Sequence, residues 1–297
     1  ADDVRASGGS NGDSAAFLPL DMAVEPQWEQ RPTWEICRGI ARHLGKEEAF
    51  TEGKTQLEWI EWCYNETRRK IPSLPDFATF WKTGPAHIHD LPNAGIALEA
   101  FRKDPKANAL STESGLIQLY SPKIASYGYD DCKGHPCFFE PTEGVSRATK
   151  DAPLALMACK SHYRMHSQLD GTVSHDFANI EDREPLWIHP DDAAARGIRN
   201  GDIVLVSNKR GAALAGAYVT ERILKGVVVL HHGAWFDPQD VKGRRIDVHG
   251  NSNTLTMDEP TSKLACGNIA STANVEVSKW TGELPDVSVY REPRIVR

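Results

Sequence analysis

Residues 153–168 read Pro-Leu-Ala-Leu-Met-Ala-Cys-Lys-Ser-His-Tyr-Arg-Met-His-Ser-Gln, and the fold can be inferred outward from them. The first five residues are a short apolar run of the kind that forms a buried β-strand. Residues 158–168 then carry one thiol, two cations, two imidazoles, three hydroxyls and an amide. Donors at a strand end suit an anionic ligand, because the chain turns there and leaves N–H groups free. A polar loop on a β-domain is the alternative explanation.

The second half of the chain predicts several more short strands. They are expected at residues 154–157, 186–188, 203–207, 213–220, 227–231 and 273–278. Turn signals such as Asn200-Gly201-Asp202 separate these runs. Residues 190–197 predict one short helix, with an acidic first turn and a glycine stop. About six strands with one or two short helices indicate a closed β-barrel.

The first half predicts helices instead. Residues 1–25 are rich in Gly, Ser and Asp at their start, and we expect them to be poorly ordered. Thr33 can cap a first helix that stops near Gly45, and further helices are expected at residues 55–71 and 76–82. A strand is predicted at residues 116–121.

A composition shift near residues 144–151 divides the chain. We therefore predict domains at residues 1–150 and 151–285, with a C-terminal tail at 286–297. Two domains agree with a length of 297 residues. The chain begins without Met or an export leader, so we expect a processed chain or a portion of a longer protein.

Several classes of function are disfavoured. A formal net charge of −7 argues against a nucleic-acid partner. No apolar run approaches the roughly 20 residues that span a bilayer, so direct membrane insertion is not expected. The sequence contains no nucleophile elbow, Walker loop, G-x-G-x-x-G or H-E-x-x-H motif. His87 and His89 form an H-x-H pair without an evident third ligand, and we predict no metal site and no catalytic residue in this chain.

Two further polar stretches lie downstream. Residues 251–253 read Asn-Ser-Asn, and side-chain amides suit purine or pterin edges because they offer a donor and an acceptor together. Gly267 would allow a close approach of backbone to a ligand. Polar turns on a barrel rim are the alternative explanation. Residues 231–238, which begin with two histidines, are expected to be structural or to form a pocket wall.

A set of short motifs in shared order resembles a known family. The motifs are Ser114-Gly115-Leu116-Ile117-Gln118-Leu119-Tyr120-Ser121, Ala125-Ser126-Tyr127-Gly128-Tyr129-Asp130-Asp131-Cys132, Gly134-His135-Pro136, Arg164-Met165-His166-Ser167-Gln168, Glu184-Pro185-Leu186-Trp187-Ile188-His189-Pro190, Asn200-Gly201-Asp202 and Thr261-Ser262-Lys263-Leu264-Ala265. Together they resemble the C-terminal portion of the molybdopterin oxidoreductases of the DMSO reductase superfamily. The resemblance is closest to the trimethylamine-N-oxide, dimethyl sulfoxide and biotin sulfoxide reductases.

The resemblance implies an architecture and a cofactor. Residues 151–285 would form a double-psi β-barrel, the domain that caps bis-molybdopterin guanine dinucleotide (Mo) in the complete enzyme. Residues 1–150 would form the end of the preceding α/β region. The fold class is thus α/β plus β, with a helical and α/β first part before the barrel.

The resemblance also implies a set of cofactor-binding residues. They are Lys160, Arg164, His166, Ser167, Gln168, Asn253, Gly267 and Asn268. Two positions depart from the family pattern. Lys160 stands where these reductases usually have His, and Cys266 where they usually have Gln, so the substrate need not be an N-oxide or S-oxide.

The family's first half, with its metal-ligand segment, is missing from this sequence. We therefore expect the chain to be inert alone and to need the missing N-terminal catalytic region as partner, with an electron-transfer subunit as a further partner. The resemblance implies a periplasmic location. The alternatives are a stand-alone double-psi barrel that serves as a binding or interaction module, and a hydrolase or decarboxylase on the same barrel.

Overall fold

The computed structural model describes residues 3–8, 15–88, 96–269 and 272–292. The chain forms two compact units, Ala1–Ile117 and Gln118–Arg297. The domain boundary predicted near residue 150 lies inside the second unit, shortly before the first barrel strand, and the predicted domain limits stay a prediction. His89, the second member of the H-x-H pair, lies outside the described residues.

The first unit combines helices with a small sheet. Its described elements are β1 (Asp3–Gly8), β2 (Ala15–Leu20), α1 (Thr33–His43), α2 (Glu47–Thr51), α3 (Gln56–Lys70), α4 (Phe77–Thr83), β3 (Ala86–Ile88) and α5 (Glu99–Lys103). The strands pair antiparallel in the order β1-β2-β3. Strands β1 and β2 both lie within the first 25 residues, for which composition predicted poor order.

Local signals in the sequence explain where the longest helix begins. Thr55 and Glu58 form a capping box at the start of α3, because each side chain binds the backbone N–H of the other. Further along α3, the buried ring of Tyr64 stacks on Phe80 of α4, with the ring centroids 4.5 Å apart. Tyr64, Leu74, Phe77, Phe80 and Ala86 form the core of this unit.

The second unit contains the barrel. Its described elements are α6 (Pro122–Ala125), a 3-10 turn (Val145–Arg147), β4 (Leu154–Met157), α7 (Val173–Asp176), β5 (Pro185–Ile188), α8 (Pro190–Ala194), β6 (Ile203–Ser207), β7 (Ala212–Val219), β8 (Val227–Leu230), β9 (Pro238–Val241), β10 (Arg244–Asp247), a 3-10 turn (Ser252–Thr254) and β11 (Thr272–Lys279).

The pairing order closes six of these strands into a ring. The strands follow one another as β5-β8-β4-β11-β6-β7, and β7 returns to pair with β5. Parallel pairs (β4 with β8, β5 with β7) mix with antiparallel ones. This closed, mixed six-stranded barrel confirms the predicted fold class of a double-psi β-barrel with α/β structure before it. Closure removes the exposed strand edges that an open sheet would leave.

Side chains from all six strands fill the barrel. Leu154, Leu186, Val204, Ala215, Val228 and Val275 are among its buried residues. Small residues on β7 let other chain segments approach closely. A side chain at Gly216, for example, would overlap Ile180. The short apolar runs of the sequence therefore predicted the strands of this core. A buried strand reads as a continuous apolar run rather than as an alternation of apolar and polar residues.

One predicted strand was wrong. Residues 116–121 form no strand, and no strand in the described part of the chain pairs with them. Leu119 is 78% exposed, so the alternation of apolar and polar residues does not reflect a buried face here. The hairpin β9–β10 was missed, although Lys242-Gly243 between its strands adopts the left-handed conformation of a tight hairpin turn.

Candidate functional site

Three polar segments leave the barrel at one end. Strands β4 and β8 run parallel, with Met157 opposite Val229, so the residues after both strands emerge together. Thr272 at the start of β11 pairs with Met157, so the residues before β11 enter at the same end. We call residues 158–168 the first rim segment, 231–237 the bridging segment and 251–268 the second rim segment.

The first rim segment exposes a set of donors. Lys160, His166, Ser167 and Gln168 all have exposed side chains. A tight turn shapes this part of the segment, because Met165 and Gln168 exchange backbone hydrogen bonds of 3.3 and 3.0 Å. His166 lies inside that turn with a φ of 56°, in the left-handed region that few non-glycine residues adopt.

Arg164 occupies a different environment from these neighbours. Its side chain has no exposed surface, and Nη1 lies 2.7 Å from Asp170 Oδ1 and 2.7 Å from Glu184 Oε2. Nη2 donates to the carbonyl oxygen of His232 at 3.2 Å. The resemblance implies that Arg164 contacts the pterin or the diphosphate of the cofactor. In this structure the guanidinium holds two carboxylates and the bridging segment, and its implied contact with the cofactor stays a prediction.

The bridging segment lies against the first rim segment. His232 forms an isolated parallel bridge with Lys160, and its ring lies 5.5 Å from that of His166. Gly233 has a φ of 108°, and a Cβ there would overlap the carbonyl oxygen of His166. The indole Nε1 of Trp235 donates to the Ser167 carbonyl at 2.8 Å. These contacts give the segment a structural role, and its role as a pocket wall stays a prediction.

The second rim segment is joined to the same bridging segment. Asn251 Nδ2 donates to the carbonyl oxygen of Ala234 at 2.7 Å, and Asn251 Oδ1 accepts from the backbone N–H of Asn253 at 2.9 Å. The side chain of Asn253 is exposed, as are Gly267 and Asn268. The structure thus brings both predicted rim segments to one barrel end, with the bridging segment bonded to each of them.

A buried carboxylate lies beneath all three segments. Asp170 Oδ1 accepts from Arg164, and Oδ2 accepts from the backbone N–H of Trp235 at 2.9 Å. His249 Nε2 lies 3.0 Å from the same Oδ2. Burial alone would raise the pKa of Asp170, but the hydrogen bonds from His249 and Trp235 outweigh it and lower the pKa to about 2. Asp170 is therefore ionised throughout the physiological range.

A tyrosine that is 39% exposed, Tyr290, contacts this buried cluster through its hydroxyl. The hydroxyl of Tyr290 donates to the Asp170 carbonyl at 3.1 Å and lies 2.9 Å from His249 Nε2. Burial, followed by the charge of Asp170, raises the pKa of Tyr290. Tyr290 therefore stays protonated and adds no second negative charge beside Asp170.

A second carboxylate orients the start of the second rim segment. Asp247 at the end of β10 accepts the backbone N–H groups of Asp237, Gly250 and Asn251 at 2.8, 2.7 and 2.6 Å. Burial raises the pKa of Asp247, against the opposing effect of these hydrogen bonds. Its side chain thus fixes the turn that leads to Asn253.

The exposed groups fit the cofactor that the resemblance implies. A diphosphate is bound by cationic and hydroxyl donors, and Lys160, His166 and Ser167 offer these at one end of the barrel. Amides such as Gln168 and Asn253 can pair with the polar edges of a pterin or a purine. The donor set therefore suits an anionic dinucleotide, while Arg164 supports it from below.

Sequence reasoning missed the two buried residues Asp170 and His249 and the tyrosine that contacts them. Asp170, His249 and Tyr290 are separated by 41 to 120 positions, so no spacing pattern joins them. Asp170 directly follows the first rim segment, and a carboxylate next to a cationic loop was the one available signal.

A separate cleft of about 590 Å³ lies elsewhere in this unit. Its lining includes Glu143, Arg147, Asp151, Lys209 and Asn274, and none of the predicted cofactor-binding residues. The lining carries charges of both signs, so it does not favour one class of charged ligand. Among the described residues no group of three or more His, Cys, Asp or Glu side chains could hold a metal ion. None of the described helices is long and apolar enough to cross a membrane.

Comparisons with known proteins agree with this geometry. Residues 154–273 match the family described as "Molydopterin dinucleotide binding domain". The chain is 42% identical over 290 residues to a trimethylamine-N-oxide reductase of Haemophilus influenzae, covering 95% of this chain and 35% of that protein. It is 38% identical over 287 residues to a dimethyl sulfoxide/trimethylamine N-oxide reductase of Rhodobacter capsulatus, with the same two coverages.

A solved structure shows the same fold. Acetylene hydratase from Pelobacter acetylenicus superposes with a TM-score of 0.65 at 19% sequence identity, over 94% of this chain and 37% of that one. Residues 154–273, which contain most of the barrel, thus match a molybdopterin dinucleotide-binding domain. The chain is similar over 95% of its length to a C-terminal portion of these molybdopterin reductases, and it spans about a third of the length of the relatives it matches.

Proposed function

We propose that this chain is the cofactor-capping part of a bis-molybdopterin guanine dinucleotide oxidoreductase that reduces an S-oxide or N-oxide. The observation that carries the proposal is the set of exposed donors that Lys160, His166, Ser167 and Gln168 present at the barrel end. Asn253, Gly267 and Asn268 face solvent on the second rim segment at the same end and complete the set. The names of the relatives support this substrate class.

The roles of the side chains follow from their chemistry. Lys160 would neutralise part of the charge of the diphosphate, and His166, Ser167 and Gln168 would donate hydrogen bonds to its oxygens or to the pterin. Asn253 and Asn268 would pair with polar ring edges, while Gly267 allows backbone to approach. The molybdenum cofactor supplies the two-electron chemistry, and the protein orients it and excludes competing reactions.

We also propose that the chain works only together with the missing N-terminal catalytic region of the same enzyme. The relatives are about three times as long as the part they share with this chain, which supports such a partner. Helix α1 supports it too, since Ile36 and Ile40 lie on one face and are 48% and 57% exposed. The isolated chain would then be inert. An electron-transfer subunit, a periplasmic location and a role in anaerobic respiration belong to the same proposal and rest on the resemblance alone.

Co-expression with the missing region tests the proposal. Molybdenum and guanine nucleotide are measured in the purified complex, for the wild type and for a Lys160→Ala, His166→Ala, Gln168→Ala variant. Loss of charge-assisted hydrogen bonds is expected to lower the nucleotide content at least about tenfold at limiting cofactor. The isolated chain is expected to reduce neither trimethylamine N-oxide nor dimethyl sulfoxide with a reduced dye.

A matched control changes cations at the opposite barrel end. Arg199 precedes β6 and Lys225 precedes β8, and both are exposed. The Arg199→Ala, Lys225→Ala variant is expected to retain wild-type cofactor content. Equal cofactor content in the rim variant would overturn the site. A complex that holds neither molybdenum nor nucleotide would instead favour a binding or interaction module without redox activity.

A further inference from the structure

The carboxylate of Asp170 contacts residues of the first rim segment and of the bridging segment, and a histidine just before the second rim segment. It accepts from Arg164 of the first rim segment and from the Trp235 amide of the bridging segment. It also lies 3.0 Å from His249, two residues before the second rim segment. We infer that Asp170 is a positioning residue that sets the spacing of the two cofactor-facing segments.

The contacts pass from Asp170 to the exposed surface in two short steps. Toward the first rim segment, Asp170 fixes the backbone of Trp235, and the indole of Trp235 donates to the Ser167 carbonyl at 2.8 Å. Toward the second, the neighbouring residue Ala234 accepts from Asn251, whose side chain caps the Asn253 amide. The two routes start from adjacent residues of the bridging segment, Trp235 and Ala234.

Burial makes these hydrogen bonds constrain the positions of their partners strongly. The side chains of Arg164, Asp170 and His249 have no exposed surface. Water cannot replace a lost partner there, so each hydrogen bond constrains the geometry more strongly than an exposed bond would. His249 is itself oriented, because its Nδ1 lies 2.7 Å from the Asp182 carbonyl.

Arg164 does not depend on Asp170 alone. Its second carboxylate, Glu184, lies 2.7 Å away and also binds His231 Nδ1 at 3.1 Å. Replacing Asp170 by asparagine therefore leaves the buried guanidinium paired. The substitution does remove one hydrogen-bond acceptor. The amide nitrogen of Asn cannot accept, and it must face either Arg164 or the Trp235 and His249 donors.

Hydrogen exchange of the full chain tests this inference without any ligand. In Asp170→Asn, amides of both rim segments are expected to exchange at least about tenfold faster, while the β6–β7 hairpin keeps its protection. The matched control is Asp192→Asn. Asp192 is also buried, but it accepts the Gly226 amide at the opposite end of the barrel. In the control, the rim segments are expected to keep wild-type rates.

A milder variant covers the case in which Asp170→Asn fails to fold. Tyr290→Phe removes only the hydroxyl that contacts the Asp170 carbonyl and His249. It is expected to raise exchange in both rim segments by about two- to fivefold. Unchanged exchange in both segments, or a change in only one of them, would overturn the positioning role.

A ligand measurement links the inference to the proposed function, on which its second half rests. Guanosine diphosphate serves as the probe for the nucleotide end of the cofactor. If the wild-type chain binds it, Asp170→Asn is expected to weaken binding at least about fivefold, and Asp192→Asn is expected to leave it unchanged. If the wild-type chain does not bind it, the nucleotide site on the isolated chain fails, while the exchange data still decide the role of Asp170.

Discussion

The indole N–H of Trp235 donates to the carbonyl oxygen of Ser167 over 2.8 Å, which joins the residues after β8 to the loop after β4. Both strands end at the same side of the barrel because they run parallel. The bridging segment has no predicted contact with the cofactor. Through this bond it nevertheless helps to determine where the exposed donors of the first rim segment lie.

Replacing Trp235 by Phe tests this bond. The variant keeps an aromatic ring but loses the donor, so we expect the free energy of unfolding to fall by about 1 kcal/mol. Amides at residues 164–168 should also exchange faster. Trp280→Phe is the matched control, since its indole donates to the Glu283 carbonyl at 3.1 Å, far from Ser167 in the chain. Equal effects of both variants on residues 164–168 would contradict the assignment.

Replacing Gly233 by Ala tests the close approach of the two segments. A methyl group there would overlap the His166 carbonyl, so the first rim segment must move. We expect a loss of about 3 kcal/mol or more in urea unfolding, from left-handed strain together with the steric clash. Gly226 also has a positive φ, of 83°, but nothing lies near its added Cβ. Gly226→Ala should therefore cost only about 1–2 kcal/mol.

The dependence of stability on pH should report the Asp170 cluster. The pKa of Asp170 is lowered from 3.8 to about 2 in the folded protein. A lowered carboxyl pKa stabilises the fold above the unfolded pKa, and this contribution is lost as the pH falls toward 2. We expect Asp170→Asn to lose about 2 kcal/mol of the pH-dependent stability measured between pH 6 and pH 2.

The control for this pH measurement is Val228→Ala. Val228 is fully buried in the barrel and does not titrate, so its loss should lower stability by a similar amount at every pH. A pH profile of Asp170→Asn that runs parallel to the wild type would contradict the lowered pKa. Thermal or urea unfolding followed by circular dichroism is sufficient for both variants.

Replacing Asn251 by Asp tests the link to the second rim segment. The carboxylate can still accept from the Asn253 amide, but it places a negative oxygen against the Ala234 carbonyl. We expect a loss of about 1–3 kcal/mol and faster exchange at residues 251–254. Asn200→Asp is the control, because Asn200 Oδ1 only accepts from the Val219 amide at 2.9 Å. It should be nearly neutral, whereas an equal loss would argue against the link through Asn251.

The barrel could be predicted because its strands are short, apolar and bounded by turns. Strands β4, β6 and β8 lie within a residue of their predicted limits. The segment at residues 116–121 failed because an alternating pattern becomes a strand only when a neighbouring strand pairs with it, and the pattern does not contain that information. The β9–β10 hairpin was missed because its strands carry no apolar alternation.

Some features of the candidate site could likewise be predicted from the sequence, and others could not. The sequence by itself determined the types of donor on the two rim segments and, through the family motifs, the cofactor they suit. Only the tertiary structure decided which of these groups face solvent. It turned Arg164 inward, away from the exposed Lys160 and His166, because two buried carboxylates from separate parts of the chain, Asp170 and Glu184, required a cation between them.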